Sequence, residues 1–278
     1  MSDLELDRLL DEDKLEIDAI SGTSAGALNG AAYKSGWLDG GREGARRNLN
    51  WLWTRMGALR DLHGMPWLGH MAKAFSPSPG ATSAALDYTF PYAMLDAASR
   101  VASPYALGPF YRNPLADVAE EFRFDRVCSH EGPRLFIGAT NVRSGMIRIF
   151  THEGITPDAL LASACLPEMF QAVEIHDPET DRKEAYWDGG YSGNPALFPL
   201  FDKGLPADIL IVNINPIQRE SLPLTPQQIQ NRINEISFNS SLLRELRAVA
   251  FVQRLIDEGS VTEGAMKRVM CIWWPMTR

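Results

Sequence analysis

The chain of 278 residues, 45% of them hydrophobic, is long enough to bury a substantial core in one body. Its net charge of −8 at pH 7 speaks against a nucleic-acid partner, because phosphate binding depends on Lys and Arg. Cys128, Cys165 and Cys271 lack CxxC spacing and read as buried free thiols rather than a disulfide framework or zinc site. No apolar run reaches the ~18 residues of a spanning helix, and MSDLELDRLLDED is too acidic for a signal peptide, so a cytoplasmic protein is expected.

In chain order, residues 3–11 read as the end of a short helix and 12–14 as a turn. Leu15, Ile17, Ala19 and Ile20 then have the spacing of a short buried strand, and residues 25–35 have helix-forming composition. Ser24 sits at the strand-to-helix turn between them. WLDGGREG breaks the helix and starts a second helical stretch through Trp51, Trp53 and Met56. Residues 62–114 mix Pro, Gly and Ser with Trp67, Phe75, Tyr88, Phe90, Tyr92, Phe110 and Tyr111, as an irregular insertion would. Asn113-Pro114 then opens a helix over LADVAEEF.

Residues 134–142 and 146–151 form a hairpin pattern with Gly145 in its loop. Thr156-Pro157 caps a helix over DALLASAC. QAVEIH and EAYW read as strands joined by the polar turn DPETDRKE. The apolar run 207–215, ADILIVNIN, predicts a central strand covered on both faces. A last helix has the capping box Thr225/Gln228 and an apolar stripe at Ile229, Ile233, Ile236, Leu243, Leu246 and Ala250. Strands alternating with helices place the chain in the α/β class, without internal repeats.

Gly22-Thr23-Ser24-Ala25-Gly26 fits G-x-S-x-G, in which a serine on a sharp turn projects its hydroxyl outward. Side chains at Gly22 and Gly26 are expected to collide in so tight a bend, and the helix beginning at Ala25 would aim its amides at the reacting carbonyl, with the Ala25 N–H as oxyanion donor. The purely structural alternative is that a strand-to-helix turn needs glycine anyway. A serine nucleophile needs a base. Of His63, His70, His130, His152 and His176, only His176 with an acid such as Asp158 suggests a triad, and its setting against Asp177-Pro178 reads as a solvated turn. The other candidate is Asp188, placed directly after the AYW strand and before Gly189 and Gly190, which let the backbone approach a neighbour closely. Asp39-Gly40-Gly41 repeats the DGG pattern but reads as a link between helices.

GTSAG at the elbow, DGG after a strand, ATNVRSGMIRIF, ASACLPEMF and DGGYSGNPALFP together resemble the bacterial patatin-like phospholipases over nearly the whole chain. The resemblance implies a three-layer α/β/α fold around a mostly parallel sheet, hydrolysis of lipid acyl esters, and a Ser-Asp dyad needing neither cofactor nor metal. Ser24 then matches the nucleophile, Asp188 the general base, and Gly22, Gly26, Gly189 and Gly190 the glycines of the two turns. It also implies a first strand and a DGGGxRG-type oxyanion loop ahead of the elbow. Nothing of that type precedes Ser24, so the fold is expected to be N-terminally short. Two alternatives stay open: a non-catalytic lipid-binding protein, and a small-ester or thioester hydrolase.

The expected organisation is a patatin-like domain over residues 1–201, with a strand-helix extension over 202–278 packing on it. Trp51, Trp53, Met56, Met65, Trp67, Met71 and Phe75 suit either a lid meeting a membrane surface transiently or ordinary core packing. Arg46, Arg47, Arg55 and Arg60 read as a solvated helical face, with contact to anionic head groups as the alternative. Oligomeric state is not legible.

Overall fold

The computed structural model describes residues 10–11, 15–61, 103–178, 180–213, 215–262 and 264–274. Of the helix expected over 3–11, Leu10 and Asp11 are helical. The rest of it, the 12–14 turn, most of the aromatic insertion, His63 and His70 lie outside the described residues. The chain forms β1 (Ala19–Gly22), α1 (Ala25–Asp61), α2 (Ala116–Glu120), α3 (Phe124–Val127), β2 (Arg134–Asn141), β3 (Ile147–Phe150), α4 (Pro157–Ser163), β4 (Val173–Asp177), β5 (Arg182–Asp188), β6 (Asp208–Val212), α5 (Pro226–Asp257) and β7 (Met270–Trp274). No described helix is long and apolar enough to cross a membrane. The three cysteines are free thiols, but only Cys165 is buried as expected; Cys128 and Cys271 are partly exposed.

Five strands make the main sheet, in the order β1-β2-β5-β4 with β3 also on β2. The expected mostly parallel sheet is corrected here to a mixed one. Only β1 runs parallel to its neighbour, while β2–β3, β2–β5 and β4–β5 are antiparallel. The connections explain two of these pairs, since the short turns after Asn141 and Asp177 can join β2 to β3 and β4 to β5 only as antiparallel strands. Gly145, at φ +70°, serves the first of them, as the hairpin pattern predicts.

The register decides where the site forms. β3 pairs with residues Ile137 to Thr140 of β2 and occupies one edge there. Gly22 also pairs with Ile137, and Asp188 with Ala139, so β1 and β5 must share the opposite edge. One strand runs parallel to β2 and the other antiparallel, so their C-terminal ends meet head to head at Gly138.

Helices α1 and α4 cover one face of this sheet. Ala27, Leu28, Ala31, Leu135, Ile137, Ala139, Phe150, Leu160 and Tyr186 share a core there. On the other face Ser21 donates its hydroxyl to the Ala196 carbonyl at 2.5 Å. The segment after β5 that carries Ala196 is held by α5: the Asn194 N–H donates to Ser241 Oγ, and the Leu197 and Phe198 amides both donate to Glu245. The expected layering of helices on either side of a sheet follows from these contacts.

Several local expectations change. The break expected within WLDGGREG falls at Gly40–Gly41, where Gly41 adopts φ +57° inside α1. Asp39, beside it, pairs with Arg123 and Arg126, so the first DGG is the expected link between helical segments. The run 207–215 is not a central strand covered on both faces. β6 lies in a two-stranded sheet with β7, which includes Trp273 and Trp274, and only Ile209 and Ile211 point inward. Trp53 donates to Asn29 Oδ1 and Trp51 packs edge-on against Phe122, which is the packing reading for this pair. Met56 also packs against the core, whereas Met65, Trp67, Met71 and Phe75 lie outside the described residues. Arg46 and Arg55 pair with carboxylates, as a solvated face does.

The capping box of α5 forms as read, with Thr225 accepting from the Gln228 N–H. Its apolar stripe does not behave as expected. Ile229, Ile233 and Ile236 are exposed, and burial is concentrated at Leu242, which joins Leu197, Ile209 and Ile211. Periodicity marks the face that would gain from burial, and its first half stays exposed. Truncating Leu242 to Ala should therefore cost about 2–5 kcal/mol in denaturant unfolding, whereas Ile233→Ala should stay within ~0.5 kcal/mol.

Candidate active site

Ser24 occupies the turn between β1 and α1 with φ +56°, a left-handed conformation that costs a non-glycine residue about 1–3 kcal/mol. It is held there through its backbone. The Ser24 N–H donates to the Ser163 carbonyl at 3.1 Å and to Ser163 Oγ at 3.0 Å. A Cβ on Gly22 would lie 2.5 Å from the Gly26 carbonyl group, so position 22 has to be glycine. The expected collision at Gly26 is absent: a Cβ there meets nothing within 4 Å among the described residues. The close approach is one-sided, because the Gly22 Cα faces the Gly26 backbone while the Gly26 Cβ direction points away from it.

The first turn of α1 has no acidic residue to neutralise its dipole. The Gly26 N–H bonds the Thr23 carbonyl and the Ala27 N–H the Ser24 carbonyl. Ala25, the first helical residue, has no acceptor for its N–H among the described residues. That amide is left to receive an anion beside the Ser24 side chain.

Asp188 ends β5 and is fully buried. Its N–H donates to the Cys165 carbonyl at 2.7 Å, and its carbonyl accepts the Thr140 hydroxyl at 2.8 Å. Thr140 in turn shares a 2.7 Å contact with Ser192 Oγ. Asp188 Oδ1 accepts the Gly190 N–H at 2.8 Å, whereas Oδ2 has no hydrogen-bond partner. The two glycines allow the fit. A Cβ on Gly189 would sit 2.2 Å from the Gly138 carbonyl oxygen, and one on Gly190 would overlap the Phe238 ring of α5.

Burial pushes the Asp188 carboxyl up from 3.8 to about 7; the Ser24 hydroxyl beside it and the Gly190 N–H pull the other way, and the Glu168 carboxylate adds a smaller push upward. Ser24 and Asp188 are thus close enough for the hydroxyl to favour the ionised carboxyl, while Oδ2 stops short of a bond of normal geometry. A carboxylate with pKa near 7 is a far better base toward a hydroxyl than one near 4. The Glu168 carboxylate, exposed at the rim, also accepts the Tyr191 hydroxyl.

None of the described histidines takes part. His176 is exposed and meets Asp181 at 3.1 Å, and His130 and His152 stack on each other at 4.2 Å. Among the described residues no group of three or more His, Cys, Asp or Glu is placed to hold a metal. Ser24, Ala25, Gly22, Asp188, Gly189 and Gly190 are brought to one place, with the Gly26 backbone packed against Gly22. Thr140, Ser163, Ser192 and Phe238 join the site without being expected there. Thr140 had a signal, as a polar residue on the same face of β2 as Gly138, but the partner of Ser163 lies 139 positions away.

A family model described as patatin-like phospholipase matches residues 6–201, a span that contains both Ser24 and Asp188. No curated protein matches the chain.

Two outcomes are expected. Gly22→Ala should lower the thermal midpoint steeply, while Gly26→Ala should leave it unchanged or raised, since alanine gains about 1 kcal/mol over glycine in a helix. The second concerns pH. The carboxyl at 188 keeps its proton to about pH 7 when folded but only to about 3.8 when unfolded, so its stabilising contribution is present below the lower value and lost as pH rises through the upper. Asp188→Asn retains an acceptor for Gly190 and cannot ionise. It should be more stable than the parent by a few kcal/mol at about pH 8, and by much less at about pH 4, in chemical denaturation.

Proposed function

The chain belongs to the patatin-like phospholipase family, whose members hydrolyse lipid esters, and on that premise we propose that it is a serine lipid acyl hydrolase with Ser24 as nucleophile and Asp188 as general base. The observation that carries the reading is the buried Asp188 carboxyl, its Oδ2 unpartnered and its pKa raised to about 7, set against a serine in a strained turn at a helix N-terminus. Asp188 Oδ2 takes the Ser24 proton as Oγ adds to the ester carbonyl. The Ala25 N–H and the positive end of α1 stabilise the tetrahedral oxyanion. Collapse of that intermediate expels the alcohol, which receives the proton from Asp188, and leaves an acyl group on Ser24. Water, deprotonated by the same carboxylate, then releases the fatty acid. The scheme uses no cofactor or metal. A cytoplasmic protein meeting lipid transiently at a membrane surface fits it, and the contacts of Ser241 and Glu245 with the segment after β5 support reading 202–278 as an extension packed on the same domain.

A second reading, a lipid-binding protein without turnover, is favoured by one observation: around the nucleophile the Ser24, Gly26 and Ala27 amides are already bonded to Ser163, Thr23 and Ser24, which leaves that of Ala25, and one missing donor costs about a hundred- to a thousand-fold in turnover. Hydrolysis of phospholipid vesicles and of short p-nitrophenyl esters separates these readings and the small-ester alternative. Ser24→Ala and Asp188→Asn should each abolish fatty-acid release, and His176→Asn should retain most of it. The wild-type rate should rise with pH to a plateau with a midpoint near 7, because the base must be ionised. Loss in His176→Asn equal to that in Ser24→Ala would replace the dyad by a triad. A wild-type rate no greater than that of Ser24→Ala would favour lipid binding alone.

A further inference from the structure

We propose that Ser163 is a positioning residue for Ser24, and that the segment Ser163-Ala164-Cys165 holds the two halves of the site in register; the inference rests on the reaction proposed above. Ser163 is fully buried at the last residue of α4, and its hydroxyl is committed twice. Oγ accepts the Ser24 N–H at 3.0 Å and donates to the Gly138 carbonyl at 2.7 Å. The Ser163 carbonyl accepts the same Ser24 N–H at 3.1 Å, so both oxygens of one residue hold the amide of the strained turn. Two residues further on, the Cys165 carbonyl accepts the Asp188 N–H at 2.7 Å. One short piece of chain thus grips Ser24 and Asp188 by their backbones.

The position of Gly138 gives this clamp its reason. Gly138 falls between Ile137, opposite Gly22, and Ala139, opposite Asp188, so neither strand end lies across from it. Its carbonyl points into a buried junction where an unsatisfied acceptor is unfavourable, and the Ser163 hydroxyl bonds it. The same hydroxyl keeps Ser24 in a left-handed conformation that the backbone would otherwise leave. With the Ser24 N–H engaged by Ser163, the amide remaining beside the nucleophile is that of Ala25, which separates the role of positioning from that of oxyanion binding.

Removing the hydroxyl frees the Gly138 carbonyl and leaves the Ser24 amide its longer bond alone. A displacement of Oγ by about 1 Å costs on the order of a hundred-fold in rate. Ser163→Ala should therefore lower kcat by roughly 10- to 100-fold, expressed per Ser24 labelled by a fluorophosphonate so that unfolded chains are not counted. KM should stay unchanged, because Ser163 is buried behind the turn, and the pH midpoint near 7 should stay unchanged, because the bonds of the Asp188 carboxyl are untouched. Ser163→Cys, close in volume and a weaker hydrogen-bonding group, should show an intermediate loss, and it carries the test if the alanine variant does not fold. A per-site kcat within twofold of wild type in either variant, a loss confined to KM, or a shifted pH midpoint would each overturn the positioning role. A wild-type protein that is neither labelled at Ser24 nor slowed by Ser24→Ala would overturn the hydrolase reading itself, and the proposed role with it.

Discussion

Two strands running toward each other along the same edge of β2, β1 ending at Gly22 and β5 at Asp188, leave a gap one residue wide at Gly138. Both chains must turn away there, and they turn in the tightest ways available. One passes through a left-handed serine into α1, and the other through a pair of glycines into a 3-10 turn. The crowding around Gly138 follows from this head-on meeting. A side chain on Gly189 would strike the Gly138 carbonyl, and one on Gly138 would strike Thr23. The junction brings together two residues 164 positions apart in the chain, Ser24 and Asp188, because it is the point at which two strand ends are forced out of the same ladder.

The electrostatics of the site are set by the same geometry. Asp188 is buried because its strand ends inside the sheet rather than at its rim, and burial, not a neighbouring charge, is the main reason its carboxyl holds a proton to about pH 7. One carboxylate oxygen is satisfied by the Gly190 amide and the other is left unbonded. A carboxyl arranged in this way destabilises the folded state at neutral pH and gains basicity from the same cause. Stability and the proposed chemistry pull in opposite directions at this residue, as they do where a titratable group is tuned for proton transfer.

Much of the local structure was legible from residue pattern alone. The hairpin over β2 and β3, the capping box of α5 and the strand preceding Asp188 appear within a residue or two of their expected places. The errors share a physical origin. Ile229, Ile233 and Ile236 have helical periodicity but lie exposed, and 207–215 is apolar yet yields only an alternating strand in a two-stranded sheet. Pattern records which residues would gain from burial. Whether another element arrives to cover them depends on the length and placement of distant segments. The parallel-sheet expectation failed for a related reason, since short turns, not strand composition, made β3 antiparallel to β2 and β5 antiparallel to β4.

By itself the sequence determined the α/β class, the family to which residues 6–201 belong, and the two short motifs that carry Ser24 and Asp188. It could do so because a sharp turn and a helix start impose requirements on residues next to one another, and such requirements are written locally. Tertiary structure alone decided that Gly22 rather than Gly26 is sterically obliged, that Asp188 is wholly buried with one oxygen unpartnered, and that Ser163 grips the Ser24 amide. Those outcomes are contacts between segments far apart in the chain, whose distances are fixed only when β1 and β5 meet on the edge of β2.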